Sequence, residues 1–541
     1  MTNLTLRQKI GKLMVFGFQG DSRDTISPEI IHFLEEYHVG GIILFGRNMK
    51  KPTDILELTS YMQKKAKKSG HEQPLLICTD QENGIVRRLG KDTTIFPGAM
   101  LLAATEDEKL IYDIGRATAK ELMALGINWN LAPVVDVNNN PHNPVIGVRS
   151  FGEKAEEVSR FSKASMNGMQ AGGIITTLKH FPGHGDTNID SHLDLPIISH
   201  GLERLERIEL VPFKECMING ADTVMSAHVY FPVIESREGV PATMSHNVIT
   251  RLLREKLGFS GVVTTDCMEM KAIADTIGTA KGAVEAIKAG VDLIMISHSP
   301  LLQKEAIEAI AVAVESGEIP TSRIEESLAR ISALKTKYVS WDKIEIDDES
   351  PQVPLVVGSP EHNELAKLAY KRGVTIVKNK NGLLPLSTDS AHKVMVIYPT
   401  KSYLTLVEDE LYSENVFGAI VKEVHPSSEI FPILHHLNER DLDELVEKTR
   451  QFDTIVVGTL SAIRSKEQST LLKALMNTGK DIVVIAMRNP YDLMVVPNVS
   501  GFITTYEFST NALRYAVKAL FGIETVSGKL PVTIPLHEHY Q

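Results

Sequence analysis

Residues 173–196 read Gly-Ile-Ile-Thr-Thr-Leu-Lys-His-Phe-Pro-Gly-His-Gly-Asp-Thr-Asn-Ile-Asp-Ser-His-Leu-Asp-Leu-Pro. The opening run, 173–178, is apolar and β-branched, the composition of a strand buried on both faces. Phe181-Pro182-Gly183 and Gly185 then break the pattern, so the chain leaves the strand as a loop. Lys179, His180, His184, Asp186, Asp190 and His192 are crowded into that exit. Titratable groups on a loop just past a strand's carboxyl end are how parallel α/β barrels place their chemistry.

The same order recurs on both sides. Apolar runs at 40–45, 75–79, 129–137, 222–227, 261–265 and 293–297 each precede a polar residue, a loop and a helical pattern. Asp80, Asn138, His228, Asp266 and His298 stand at those exits. Parallel strands with crossover helices follow. Counting 174–178, seven or eight strands favour a TIM-like (β/α) barrel over residues 1–340. Thr5 with Gln8, Thr105 with Glu108 and Ser322 with Glu325 read as capping boxes, and Ser27-Pro28 as a helix start. Residues 341–356 turn acidic and proline-bearing, the composition of a linker. Beyond it, strand candidates at 374–377, 394–398, 454–457, 482–486 and 502–506 alternate with helical patterns. Residues 357–541 therefore read as a second, doubly wound α/β domain, without a glycine-rich phosphate-binding fingerprint.

A chain of 541 residues exceeds what one core normally serves, which agrees with two domains. Its net charge of −11 argues against sequence-independent binding to nucleic acid or anionic membranes. No apolar run reaches membrane-spanning length, and no apolar signal segment follows the N-terminus. Three scattered cysteines imply no disulfide framework and suit a reducing compartment, so a cytoplasmic protein is expected.

Two chemistries suit the loop. His180, His184, Asp186 and His192 are potential metal ligands, although none sits in a spacing that signals a metal strongly. Asp190 and His192 instead form an Asp-x-His pair: a carboxylate fixes an imidazole's tautomer and prepares it for acid/base work.

Lys-His-Phe-Pro-Gly-His-Gly (179–185) with Asp190-Ser191-His192 resembles the signature of family-3 glycoside hydrolases, specifically the β-N-acetylglucosaminidase branch in its two-domain form. Thr264-Thr265-Asp266-Cys267-Met268-Glu269-Met270 resembles the family's nucleophile motif. Asn381-Gly382-Leu383-Leu384-Pro385-Leu386 and Gly528-Lys529-Leu530-Pro531 resemble motifs bounding its C-terminal domain, which implies a C-terminal α/β sandwich domain over residues 357–541. The resemblance implies a retaining exo-β-N-acetylglucosaminidase acting on GlcNAc-β-linked cell-wall or chitin fragments. Asp266 would be the nucleophile and His192, backed by Asp190, the acid/base. Asp80, Arg88, Arg149, Lys179 and His180 would bind the sugar, with Glu82 and His228 in support. Asn83 stands where the family usually repeats glycine. No cofactor or metal is implied, and the partner is a small carbohydrate. A phosphorylase on the same site, a metal-dependent hydrolase and a non-catalytic sugar-binding protein are the rival readings.

Overall fold

The computed structural model describes residues 4–344, 351–400, 405, 408, 416–433 and 437–536. Eight parallel strands close into a barrel in chain order: β1 (Met14–Phe16), β2 (Gly41–Leu44), β3 (Leu76–Thr79), β4 (Trp129–Asn130), β5 (Ile175–Phe181), β6 (Thr223–Ser226), β7 (Val262–Cys267) and β8 (Leu293–Ile296). β1 pairs with β8 and completes the ring. Because all strands run one way, their carboxyl ends share one face, which fixes where the site lies.

Three elements depart from the expectations. β1 is a barrel strand not singled out from the sequence, because its three apolar residues are too short a run to stand apart from the helix that precedes them. β4 stops at Asn130 rather than running to 137. Pro133 offers no N–H to a ladder, and the pairing resumes only as a bridge from Val134 to Lys179. β5 runs on to Phe181, so Lys179 and His180 belong to the strand rather than to the loop. At the helix starts, Thr5 and Gln8 form the expected capping box. The helix Glu108–Ala124 is capped by Asp107 instead of Thr105. Thr321–Tyr338 begins after Pro320 with no side-chain cap at all.

The second sheet has the order β11-β10-β12-β13-β14-β9. Its strands are β9 (Thr375–Asn379), β10 (Val394–Pro399), β11 (Glu429–Ile433), β12 (Thr454–Thr459), β13 (Asp481–Ala486) and β14 (Gly501–Thr504). β9 alone is antiparallel, an edge strand on β14. β11 was not anticipated: this opposite edge is half exposed, so its sequence carries no buried run. Along β10, Val394, Val396 and Tyr398 join one apolar cluster while Met395 and Ile397 join another. A sheet with both faces covered needs that continuous apolar sequence.

The helix Pro360–Gly373 ties the two units together. Its Ala366, Ala369 and Tyr370 share a core with Phe96, Met100 and Ile111 of the barrel domain and with Tyr491, Tyr506 and Val532 of the second. Tyr370 donates its hydroxyl to Glu507 (2.8 Å), and Glu507 also accepts the N–H of Gly98 (2.9 Å). Of the expected linker, residues 345–350 lie outside the described residues; Trp341–Lys343 forms a single tight turn.

Candidate active site

The carboxyl ends of the strands surround a cavity of about 520 Å³. Asp80, Arg88, Arg149, Lys179, His180, His192 and Asp266 all line it. Asp190 stands one contact behind, through His192.

A buried ionic cluster forms one wall. Lys179 Nζ donates to Asp80 Oδ1 (2.7 Å) and lies 2.6 Å from Glu82 Oε1. Arg149 grips Glu82 with a two-point fork, Nε and one terminal nitrogen each at 2.8 Å. Arg88 approaches Asp80 at 4.0 Å. Burial alone would push the Glu82 carboxyl up, but Arg149 and Lys179 outweigh it and hold the group far below the usual range. Glu82 is thus a strut that locks Lys179 and Arg149. The cavity-lining Lys179 and Arg149 are therefore held in place by a carboxylate that does not itself line the cavity.

Asp136 is a second strut, and sequence reasoning missed it. Its carboxylate accepts His180 Nδ1–H (2.8 Å) and the backbone N–H groups of His180 (3.2 Å) and His184 (2.7 Å). The signal was available: an acid inside the apolar run Val134-Val135-Asp136-Val137 needs partners if it is buried.

Asp266 lies in β7, where the register with β8 shifts between Thr264 and Cys267. β5 shifts likewise against β6 between Leu178 and Phe181. Such irregularities re-aim side chains, and here they flank Asp266 and the Lys179–His180 pair. Asp266 Oδ1 accepts the N–H of Cys267 (2.7 Å). Burial raises its pKa, but His228, His180 and His192 prevail, so the carboxyl stays below its ordinary value and ionised. His228 is itself held by Thr243 Oγ1 (2.8 Å) and the Cys267 carbonyl (3.1 Å). Glu269, two residues further on, accepts the backbone N–H groups of Ser297, His298 and Ser299. It ties the end of β7 to the turn after β8.

The loop beyond β5 carries the pair read from sequence. Asp190 Oδ1 accepts both the Nδ1–H (2.8 Å) and the backbone N–H (2.9 Å) of His192. Nδ1 is thereby occupied, and Nε2 is the nitrogen free to work at the cavity. His184 supports this loop: its ring nitrogens meet Thr187 Oγ1 (2.8 Å) and Ser191 Oγ (3.0 Å). Burial lowers its pKa to about 4, so it is neutral. His180, His184, Asp186 and His192 do not bring three ligand atoms within metal-binding reach of one another among the described residues, and Asp186 pairs instead with His200 (2.6 Å). Among the described residues, the side chains that do converge are Cys267, Glu269 and His298. There the Glu269 carboxylate is taken by backbone N–H groups, and burial raises the thiol to about 12.

Two family models match the chain: the glycosyl hydrolase family 3 N-terminal domain over residues 5–334 and the family's C-terminal domain over 374–541. The chain belongs to glycosyl hydrolase family 3 and is a glycoside hydrolase. It is 30% identical to beta-hexosaminidase A of Pseudoalteromonas piscicida, across 98% of this chain and 97% of that protein. A beta-hexosaminidase of Xylella fastidiosa is 34% identical over 61% of this chain and 93% of its own. Among solved structures, a family 3 beta-N-acetylglucosaminidase from Paenibacillus sp. str. FPU-7 superposes with a TM-score of 0.90 at 38% identity, covering 99% of this chain and all of that one.

Proposed function

We propose that this enzyme is a retaining, exo-acting β-N-acetylglucosaminidase in which Asp266 is the nucleophile and the Asp190–His192 pair the acid/base. The observation that carries this reading is the presence, in one cavity, of an ionised carboxylate flanked by imidazoles and a histidine whose Nδ1 is bound to an aspartate. The names of the similar proteins support the substrate.

In the first step a carboxylate oxygen of Asp266 attacks the anomeric carbon. The bond to the leaving oxygen breaks, and His192 Nε2–H gives that oxygen its proton. In the second step neutral His192 takes a proton from water. The water oxygen then bonds the anomeric carbon and Asp266 departs, restoring the original configuration. Asp80, Arg88, Arg149, Lys179 and His180 hold the sugar hydroxyls on their preset supports. GlcNAc-β-linked cell-wall fragments in the cytoplasm are the natural substrates in this reading, and free thiols at Cys78, Cys216 and Cys267 suit that compartment.

The test is hydrolysis of aryl β-GlcNAc beside aryl β-glucoside, with and without phosphate, following the product by NMR. The expected result is preference for GlcNAc and first release of the β-anomer at a rate indifferent to phosphate. A sugar 1-phosphate product, an α-anomer or no turnover would each overturn the reading.

A further inference from the structure

The cavity has a wall from the second domain. Among the described residues, Glu408 is the one residue beyond the barrel domain that lines it. Its side chain is only 3% exposed and forms an ion pair with Arg488, just past the end of β13. Thr405 Oγ1 donates to its Oε1 (3.0 Å). Glu408 also lines a second cavity of about 520 Å³ between the domains, shared with Arg87, whose neighbour Arg88 faces the first.

A carboxylate–guanidinium pair withdrawn from water gains little in stability over apolar side chains. One placed at the mouth of a sugar site has a chemical use, because sugar hydroxyls donate and carboxylates accept. Asp80, held by Lys179, lines the cavity from the barrel side, and Asp266 is assigned to bond formation; Glu408, held in the same manner by Arg488 and Thr405, lines it from the second domain. The geometry points to Glu408 as a substrate-binding residue that accepts a hydrogen bond from a hydroxyl of the glycone sugar, with Arg488 as the residue that positions it. The second domain thereby completes a site whose chemistry lies in the first. This inference rests on the β-N-acetylglucosaminidase reading above.

The test compares wild type, Glu408→Ala, Glu408→Gln and Arg488→Met on aryl β-GlcNAc and on its 3-, 4- and 6-deoxy analogues. Glu408→Ala is expected to lower kcat/KM on the parent sugar roughly 10- to 100-fold, the range of a charged hydrogen bond, mainly through KM and independently of leaving group. The penalty collapses on the one deoxy analogue that lacks the partner hydroxyl. Arg488→Met gives the same pattern more weakly, and Glu408→Gln recovers part of the loss because its amide still accepts. Wild-type kinetics for Glu408→Ala, or an equal loss on the parent and all three analogues, overturns the assignment. Wild type with no turnover of GlcNAc would instead sink the underlying reading, so the two failures are distinguishable.

Discussion

Removing the imidazole of His192 removes the proton that a poor leaving group needs. His192→Ala is therefore expected to slow glycosides with alkyl or sugar leaving groups on the order of 10²–10⁴-fold, while activated aryl glycosides suffer far less. Asp190→Ala follows the same pattern less severely, and the double variant is little worse than His192→Ala, since both act through one nitrogen. A series of aryl GlcNAc glycosides graded by leaving-group pKa reads this directly; a uniform loss would make His192 a binding residue. Arg149 gives a contrasting case. Arg149→Lys keeps the charge but loses the fork on Glu82, so kcat/KM is expected to fall at least about tenfold for every leaving group alike. At this scale the sequence was informative because loops that hold His, Asp and Gly together do so for chemistry. Every residue read as catalytic or sugar-binding lines the cavity or touches one that does, whereas Asp186, read as a potential metal ligand, pairs with His200 away from it. Asp136 escaped because its role is entirely one of support, formed with residues more than forty positions away. Glu408 escaped because nothing in its local sequence points to a cavity built mostly by another domain.

At the scale of elements, the periodic signals were strong where strands are long and buried and weak where they are short or at an edge. Three-residue β1 and half-exposed β11 went unseen for that reason, and β4 was overdrawn because its apolar run continues past the proline that ends its pairing. The register shifts beside Asp266 and Lys179 were not legible either, since they depend on the partner strand. The opposite end of the barrel yields a pH prediction. Lys335, on the helix Thr321–Tyr338, is buried with its Nζ donating to the Gly40 carbonyl (3.0 Å). Burial, aided by Lys12, lowers its pKa to about 7 from an ordinary 10.5. The unfolded chain therefore binds more protons between pH 7 and pH 10.5, and this group adds stability as pH rises through that window. Below pH 7 its penalty is fully present. Lys335→Met should lose that contribution to the slope, so wild type gains on the variant by a few kcal/mol from pH 7 to pH 10. Urea unfolding of both proteins across that range checks it; parallel stability curves would show that Lys335 is not the group responsible.

For the whole molecule, the shared core around Tyr370 makes the two domains one structural unit. Tyr370→Ala deletes a fully buried ring and the hydroxyl that Glu507 accepts from, and is expected to cost about 3–5 kcal/mol. A single calorimetric transition that moves down as a whole is the expected outcome, whereas two transitions with only one displaced would refute the shared core. The alternation of strands and helices revealed two α/β units to sequence reading, but not their joint core, because the apolar faces of Met100, Tyr370 and Tyr506 belong to segments far apart in the chain. The central claim, however, concerns a covalent bond to one atom group. Incubating the enzyme with a slow 5-fluoro-N-acetylglucosaminyl donor and digesting the trapped protein tests it most directly. The account predicts one sugar per chain, on the peptide bearing Asp266, with no label on Asp266→Asn; a label on any other residue, or turnover with no covalent species, would contradict it.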